Sequence, residues 1–219
     1  MHFPDVSHSH RLSAARLLCI GFSLLLGSLA NAGEVPADSL LNRDLGFLQR
    51  AILRPIVRWQ EFSYATPAYH CQFEPSCSHF MALAVAEKGV LPGIIMGTDR
   101  ILRCNPAASD YHQLGADPRL TPDGRLYEPL DYPAVLTPKR SPALAATLSV
   151  MPGLGRCYAG RPLDGLLSFL MVASFGYSTL RHAEADHPAW VAFNGSLTLL
   201  FWSADFYGAW WSAAHHQAP

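Results

Sequence analysis

Charged side chains are scarce in this 219-residue chain, where they make up only 15% of the residues, with a formal net charge of -1. This balance gives no reason to expect nucleic acid as a partner. Half of the residues are hydrophobic, and they concentrate at the two ends of the chain instead of following helix or strand periodicity throughout. The distribution favours a small domain combined with membrane segments over one ordinary soluble domain.

Two common catalytic patterns are also missing. The glycine-rich stretch beginning at Met151 is not a phosphate loop, because no Gly-Lys-Ser/Thr follows it. No acidic residue is clearly placed to orient His70, His79 or His112, each a conceivable base for a thiol nucleophile at Cys77. A membrane-anchored thiol hydrolase or redox enzyme using Cys77 is therefore the less favoured alternative.

Cysteine is sparse, with five residues, of which Cys71, Cys77 and Cys104 lie in the middle of the chain. Three cysteines cannot all pair with one another, so either one stays free in an exported domain or all are reduced thiols in the cytoplasm. The five residues between Cys71 and Cys77 exceed the usual spacing of structural zinc ligands, so we expect no metal and no cofactor. We expect the three instead to tether a loop to a helical hairpin.

The N-terminus has the pattern of an export signal. Arg11 and Arg16 precede an apolar run over residues 17–29, and Ala30-Asn31-Ala32 supplies the small residues that a signal peptidase needs. We therefore predict a signal peptide over residues 1–32, with an uncleaved anchor as the alternative.

The next segment, residues 39–63, predicts an amphipathic helix with apolar residues three or four apart. Four arginines form a second row on it: Arg43, Arg50, Arg54 and Arg58. Together with Trp59, these arginines are expected to contact a phospholipid surface, the alternative being a soluble helix with a charged face. Pro55 predicts a kink or two shorter helices.

A helical hairpin should follow, with one helix from about Ser76 to Gly89 and another from Pro92 to Asn105. Residues 121–142 are rich in proline and glycine and predict a linker. The C-terminal part, 143–219, predicts a membrane module, with two helices separated by a polar turn: about 163–180 and 190–211. The predicted fold class is mainly α.

The central stretch Cys71-Gln72-Phe73-Glu74-Pro75-Ser76-Cys77-Ser78-His79-Phe80, followed by Arg100-Ile101-Leu102-Arg103-Cys104-Asn105-Pro106 and Asp117-Pro118, resembles the signature of the YidD-like insertion efficiency factors. The resemblance spans about residues 45–120, and we expect the corresponding domain over 39–120. Its motif positions are Cys71, Pro75, Cys77, Ser78, Arg100, Arg103, Cys104, Asn105, Pro106, Asp117 and Pro118. Ser76 stands where that family usually has threonine, and the family usually lacks both the export signal and the C-terminal hairpin.

The resemblance implies a small helical protein of the bacterial inner membrane that performs no reaction. Its expected partners are the phospholipid membrane, the insertase, the Sec translocon and nascent membrane proteins. A purely structural membrane scaffold is a further alternative. Arg100 and Arg103, three residues apart, have two possible partners: lipid phosphate, or a carboxylate such as Glu74.

Two signals disagree about the side of the membrane on which the central domain lies. A cleaved signal places it outside the cytoplasm, whereas Lys139, Arg140, Arg156 and Arg161 before the hairpin favour the inside. The two signals are compatible if residues 143–158 form an extra, short membrane span between the central domain and the hairpin. We expect an exported domain, because the cleavage pattern is the more specific signal.

Overall fold

A computed structural model describes residues 37–65, 71–105, 120–130, 135–136 and 139–217, and the protein is mainly α-helical across them. The predicted signal peptide lies outside these residues. So do three motif positions, Pro106, Asp117 and Pro118, and two of the histidines considered as bases, His70 and His112.

The predicted amphipathic segment consists of a 3₁₀ helix, Ala37–Asn42, and helix α1, Phe47–Tyr64. The break lies at residues 43–46, and α1 continues through Pro55. The predicted division into two helices at this proline was therefore wrong, and the predicted kink stays a prediction. Pro55 is on the exposed side of α1, where water can satisfy the carbonyl group that loses its hydrogen bond.

The predicted hairpin is formed by α2, Cys77–Lys88, and α3, Val90–Arg103. Ser76 caps α2, its Oγ accepting a hydrogen bond from the His79 amide at 3.3 Å. Gly89, with φ of 92°, joins the two helices in a conformation that favours glycine. A Cβ on Gly93 would lie 2.4 Å from the backbone nitrogen of Val85, so glycine at this position allows α2 and α3 to pack closely.

One hydrophobic core joins the 3₁₀ helix, α1 and α2. Its buried members are Ala37, Leu40, Leu53, Ala82 and Val85. Their burial explains why α1 lies along the hairpin instead of standing apart from it.

The segment expected to be a linker is partly anchored on the hairpin. Strand β1, Phe73–Glu74, pairs in parallel with β2, Leu126–Tyr127, and Leu126 packs against Phe73 and Cys77. A second short pair joins β3, Val135–Leu136, to β4, His216–Gln217. This segment is thus paired through β2 with the residues before the hairpin and through β3 with the residues after the last helix of the chain's C-terminal part. The division into domains stays a prediction.

The C-terminal part contains four helices: α4, Pro142–Leu148; α5, Leu154–Tyr158; α6, Pro162–Glu184; and α7, Pro188–Ala214. The helices α6 and α7 pack along each other, and α7 also packs against α3 and α4. The extra span considered over residues 143–158 is not formed, because α4 and α5 have only 7 and 5 residues.

Among the described helices, α6 is the one long and apolar enough to cross a membrane, with a mean hydropathy of 1.3 over its most apolar stretch. Only 22% of that stretch is buried within the protein. The sequence predicted a pair of membrane helices, and the second of them is not confirmed.

Candidate functional site

Helix α1 buries one face, consisting of Leu53, Val57, Gln60 and Ser63, against the hairpin. Away from this face lies the arginine stripe, which we define as Arg50, Arg54 and Arg58, all exposed. Arg58 pairs with Glu61 at 2.9 Å on the surface.

Beside the arginine stripe lies an apolar strip, which we define as Leu48, Trp59 and Phe62. These side chains are 66%, 48% and 56% exposed, and the two rings are 5.8 Å apart. At about 100° of rotation per residue, the strip and the stripe occupy adjoining sides of the helix. Ile52 and Ile56 are also apolar residues of this helix, but they are partly buried and pack against the core.

Arg43 precedes α1 and is also exposed, with its guanidinium 3.8 Å from the carboxylate of Glu87. It therefore lies near the stripe in sequence but is oriented toward the hairpin end of α2. The four arginines predicted to form one row are divided between a helix and the turn before it.

The three central cysteines meet at the base of the hairpin. Cys71 lies before β1, Cys77 begins α2, and Cys104 follows α3. The Sγ of Cys71 is 3.3 Å from that of Cys77 and 3.6 Å from that of Cys104. All three sulfur atoms lie within 4.8 Å of one another, and all three cysteines are free thiols.

The protonation of this cluster does not favour Cys77 as a nucleophile. Hydrogen bonds with Cys104 and Cys71, together with burial, raise the pKa of Cys77 well above its usual value. The pKa of Cys71 is lowered, because its hydrogen bonds with Cys104 and Cys77 stabilise its thiolate form. Across the described ranges, no histidine or carboxylate is hydrogen-bonded to any of these thiols.

Arg100 and Arg103 are both buried, so neither guanidinium reaches the surface. The Arg100 guanidinium lies over the rings of Phe73 and Phe80, at 4.7 and 4.3 Å from their centroids. Its three nitrogen atoms have no hydrogen-bond partner among the residues that the structure describes. Cation–π contacts with the two rings and the nearby charge of Glu128 therefore stabilise this cation in the described part of the protein.

Arg103 makes a two-pronged contact with Glu128, and its Nε donates to Asp99 at 3.0 Å. Glu74, considered from sequence as the carboxylate partner, pairs with Arg125 at 2.9 Å instead. Glu128 lies in the segment expected to be a linker, and it is buried.

Arg156, in α5, extends this network into the C-terminal part. Its Nη2 donates to Asp99 at 2.6 Å and its Nε donates to Asp205, in α7, at 2.9 Å. The backbone amide of Gly153 donates to the other oxygen of Asp205 at 2.9 Å. A Cβ on Gly208 would lie 2.0 Å from the Asp99 carboxylate, so α7 reaches the network only because this residue is glycine.

Two of the three remaining motif positions make hydrogen bonds. Asn105 donates to Asp164, at the start of α6, at 2.9 Å. Ser78 accepts from the buried Gln60 amide at 3.4 Å, and Pro75 directly follows β1. These contacts join the motif to α1 and to the C-terminal part.

The similarity to known proteins lies in the same central region. Residues 48–119 match the YidD family, described as "Putative membrane protein insertion efficiency factor". A relative of that name from Fervidobacterium nodosum is 35% identical over 65 residues, which cover 30% of this chain and 76% of the relative. Another from Thermosipho melanesiensis is 37% identical over 71 residues, which cover 32% of this chain and 83% of the relative. The chain belongs to the YidD family.

A third relative of the same name, from Nitrosospira multiformis, is 41% identical over 49 residues, covering 22% of this chain and 69% of the relative. No solved structure matches the chain. Asp99 and Arg103 lie inside the YidD-matching region, whereas Arg156 and Asp205 lie outside it. The buried ion network therefore joins the family region to the C-terminal helices.

Sequence reasoning missed this network. Its one signal was Asp205, a carboxylate in an apolar stretch that has to face protein, a headgroup or water. The structure places it against protein, completely buried.

Proposed function

We propose that the protein is a membrane-associated accessory factor that assists the insertion or folding of integral membrane proteins, beside the insertase and the Sec translocon. The names of its YidD relatives support the general role. The observation that carries the proposal is the surface of α1, where an exposed arginine stripe adjoins an exposed apolar strip.

This surface has the chemistry of a helix lying in the headgroup region. The guanidinium groups pair with lipid phosphates, while Leu48, Trp59 and Phe62 enter the acyl boundary. The exposed Arg58–Glu61 pair is no obstacle, because surface ion pairs contribute at most about 1 kcal/mol and exchange readily for phosphate contacts. The buried face of α1 holds the hairpin at the membrane surface, where nascent segments arrive.

Helices α6 and α7 form the membrane anchor in this proposal. Both expose large apolar side chains on their outer sides: Leu166, Leu170, Leu180, Phe193 and Leu199. Four polar side chains of α7 bond to backbone carbonyls four residues earlier in the same helix: Asn194, Ser196, Thr198 and Ser203. These groups need no water, and Arg156 balances the charge of Asp205, so α7 is compatible with lipid despite its lower hydropathy.

The anchor also bears on the location of the central domain. Asp164 near the start of α6 and Asp205 in the second half of α7 both contact the rest of the protein, so that part lies toward one end of the helix pair. Four cations before the helix pair favoured a cytoplasmic location in the sequence. Two of them, Arg156 and Arg161, are buried, and the other two, Lys139 and Arg140, are exposed. We therefore propose an exported central domain in the inner membrane.

A reporter fused after Asp131 tests this topology. Activity of an exported reporter supports the proposal, and activity only of a cytoplasmic reporter contradicts it.

The function itself is tested by depleting the protein and following pulse-labelled polytopic membrane proteins by protease protection. Insertion should slow without stopping, as befits an efficiency factor. Normal kinetics across a broad set of clients would contradict the proposal and favour a purely structural scaffold.

A further inference from the structure

We propose that Cys71, Cys77 and Cys104 form a binding site for Zn²⁺, with three thiolate ligands and a fourth ligand from outside this cluster. The three sulfur atoms already converge within 4.8 Å. Zinc–sulfur bonds of about 2.3 Å in a tetrahedral site place two sulfurs roughly 3.8 Å apart. The observed separations of 3.3 and 3.6 Å therefore need only small movements to accommodate the ion.

The linear spacing of the cysteines conceals this site. Five residues separate Cys71 from Cys77, but the third ligand comes from the far end of α3. The α2–α3 hairpin brings its own start and end together, and pairing of β1 with β2 holds the preceding loop beside them. The fold thus supplies a preorganised cluster without the short Cys-x-x-Cys spacing of most structural zinc sites.

Charge balance provides a second, independent observation. Zn²⁺ with three thiolates carries a net charge of -1, and the buried Arg100 guanidinium has no hydrogen-bond acceptor in the described part of the chain. Glu128 acts most strongly on this guanidinium by its charge, and Cys77 and Cys71 also lie near enough to act on it electrostatically. Because the carboxylate oxygens of Glu128 are bonded to Arg103, the Arg100 cation can offset the net negative charge of the loaded site.

The donor set selects the class of metal. Three sulfur ligands favour Zn²⁺ or another thiophilic ion over Mg²⁺ and Ca²⁺, which prefer oxygen. Cys71 and Cys104 are half-buried, so the ion can enter from one side while Cys77 closes the other. Binding releases the protons that the thiols share.

The experiment uses the full-length protein in detergent, reduced, stripped of metal and then supplied with Zn²⁺. Elemental analysis after removal of free metal should show one zinc per chain. Replacing Cys71, Cys77 or Cys104 by serine should each abolish stoichiometric binding. The control Cys157→Ser, which removes an exposed thiol, should retain it.

A second measurement does not depend on the folding of the cysteine variants. Co²⁺ added to the reduced wild-type protein should give thiolate-to-metal charge-transfer absorption of the intensity that three sulfur ligands produce, and Zn²⁺ should displace it. Arg100→Met should weaken zinc binding by about 10-fold to 100-fold, as loss of a supporting group typically does.

Two outcomes would overturn the proposal. One is that the reduced wild-type protein takes up neither Zn²⁺ nor Co²⁺. The three cysteines would then be thiols in the reduced protein, or one disulfide and one free thiol after oxidation. The other is zinc retained equally by all three serine variants, which would place the metal elsewhere.

Discussion

The buried guanidinium of Arg156 is predicted to hold the YidD region and the C-terminal helices together. It lies between Asp99 in α3 and Asp205 in α7, and all three side chains are buried. Arg156→Met removes the charge while keeping an apolar side chain of similar reach. Asp99 then keeps Arg103 as a partner, but among the residues that the structure describes Asp205 keeps only the amide of Gly153.

Removing one partner of a buried ion pair costs about 3–5 kcal/mol, because the remaining charge is left uncompensated. Arg156→Met should therefore lower the free energy of unfolding by an amount in that range. Asp205→Leu should lower it by less, because Arg156 keeps Asp99 as a partner. The double variant removes both charges at this contact. Its loss should be smaller than the sum of the two single losses, with a coupling energy of about 2 kcal/mol.

The assay is reversible unfolding of the full-length protein in mixed micelles with increasing SDS, followed by circular dichroism and tryptophan fluorescence. Arg181→Met is the matched control, because Arg181 pairs with Glu184 on the surface and its loss should change stability by less than about 0.5 kcal/mol. Additive losses in the double variant, to within about 0.5 kcal/mol, would refute the reasoning that these charges depend on each other.

Three further predictions concern other parts of the protein. A peptide covering Leu41–Phe62 should float with anionic vesicles. Changing its arginine stripe to glutamine should weaken vesicle binding by about 1 kcal/mol per charge at low salt. Unchanged flotation would contradict the claim that these arginines bind lipid phosphate. Gly208→Ala should destabilise the protein by about 1–3 kcal/mol in the same unfolding assay, because its Cβ would clash with Asp99, whereas Gly176→Ala, with no atom closer than 3.7 Å, should not. Burial alone would raise the pKa of Asp99 and Glu128, but the charges of Arg156 and Arg103 outweigh it and lower the two pKa values below the usual 3.8 and 4.5. These carboxylates therefore stabilise the fold fully above about pH 5 and lose that contribution as the pH falls through their folded-state pKa values. An unfolding midpoint that does not change with pH below 5 would contradict this.

The helical hairpin was predictable because its signals are local. A serine cap, a glycine with positive φ and a proline in a first helical turn act within a few residues, so Ser76, Gly89 and Pro92 could be interpreted directly from the sequence. The arginine stripe was predictable for the same reason, since helix periodicity alone places its members on one side.

The buried ion network was not predictable, because its members are distant in sequence. Asp99 and Arg156 are 57 residues apart, and Arg103 and Glu128 are 25 apart. Apart from Asp205, each residue alone resembles an ordinary surface charge, and the packing of α7 against α3 brings them into one buried cluster. Similarly, the spacing of the cysteines argued against a metal site, whereas the end-to-end geometry of the hairpin supplies three converging sulfurs.

The most direct test of the account is rescue of membrane protein insertion in cells depleted of this protein. Cells would express the wild type, a variant with the arginine stripe changed to glutamine, or one with the same three residues changed to lysine, at equal levels. Pulse-labelled protease protection should show full rescue by the wild type, substantial rescue by the lysine variant, which keeps the charge, and poor rescue by the glutamine variant. Full rescue by the glutamine variant would contradict the claim that α1 acts through its charged membrane-facing surface.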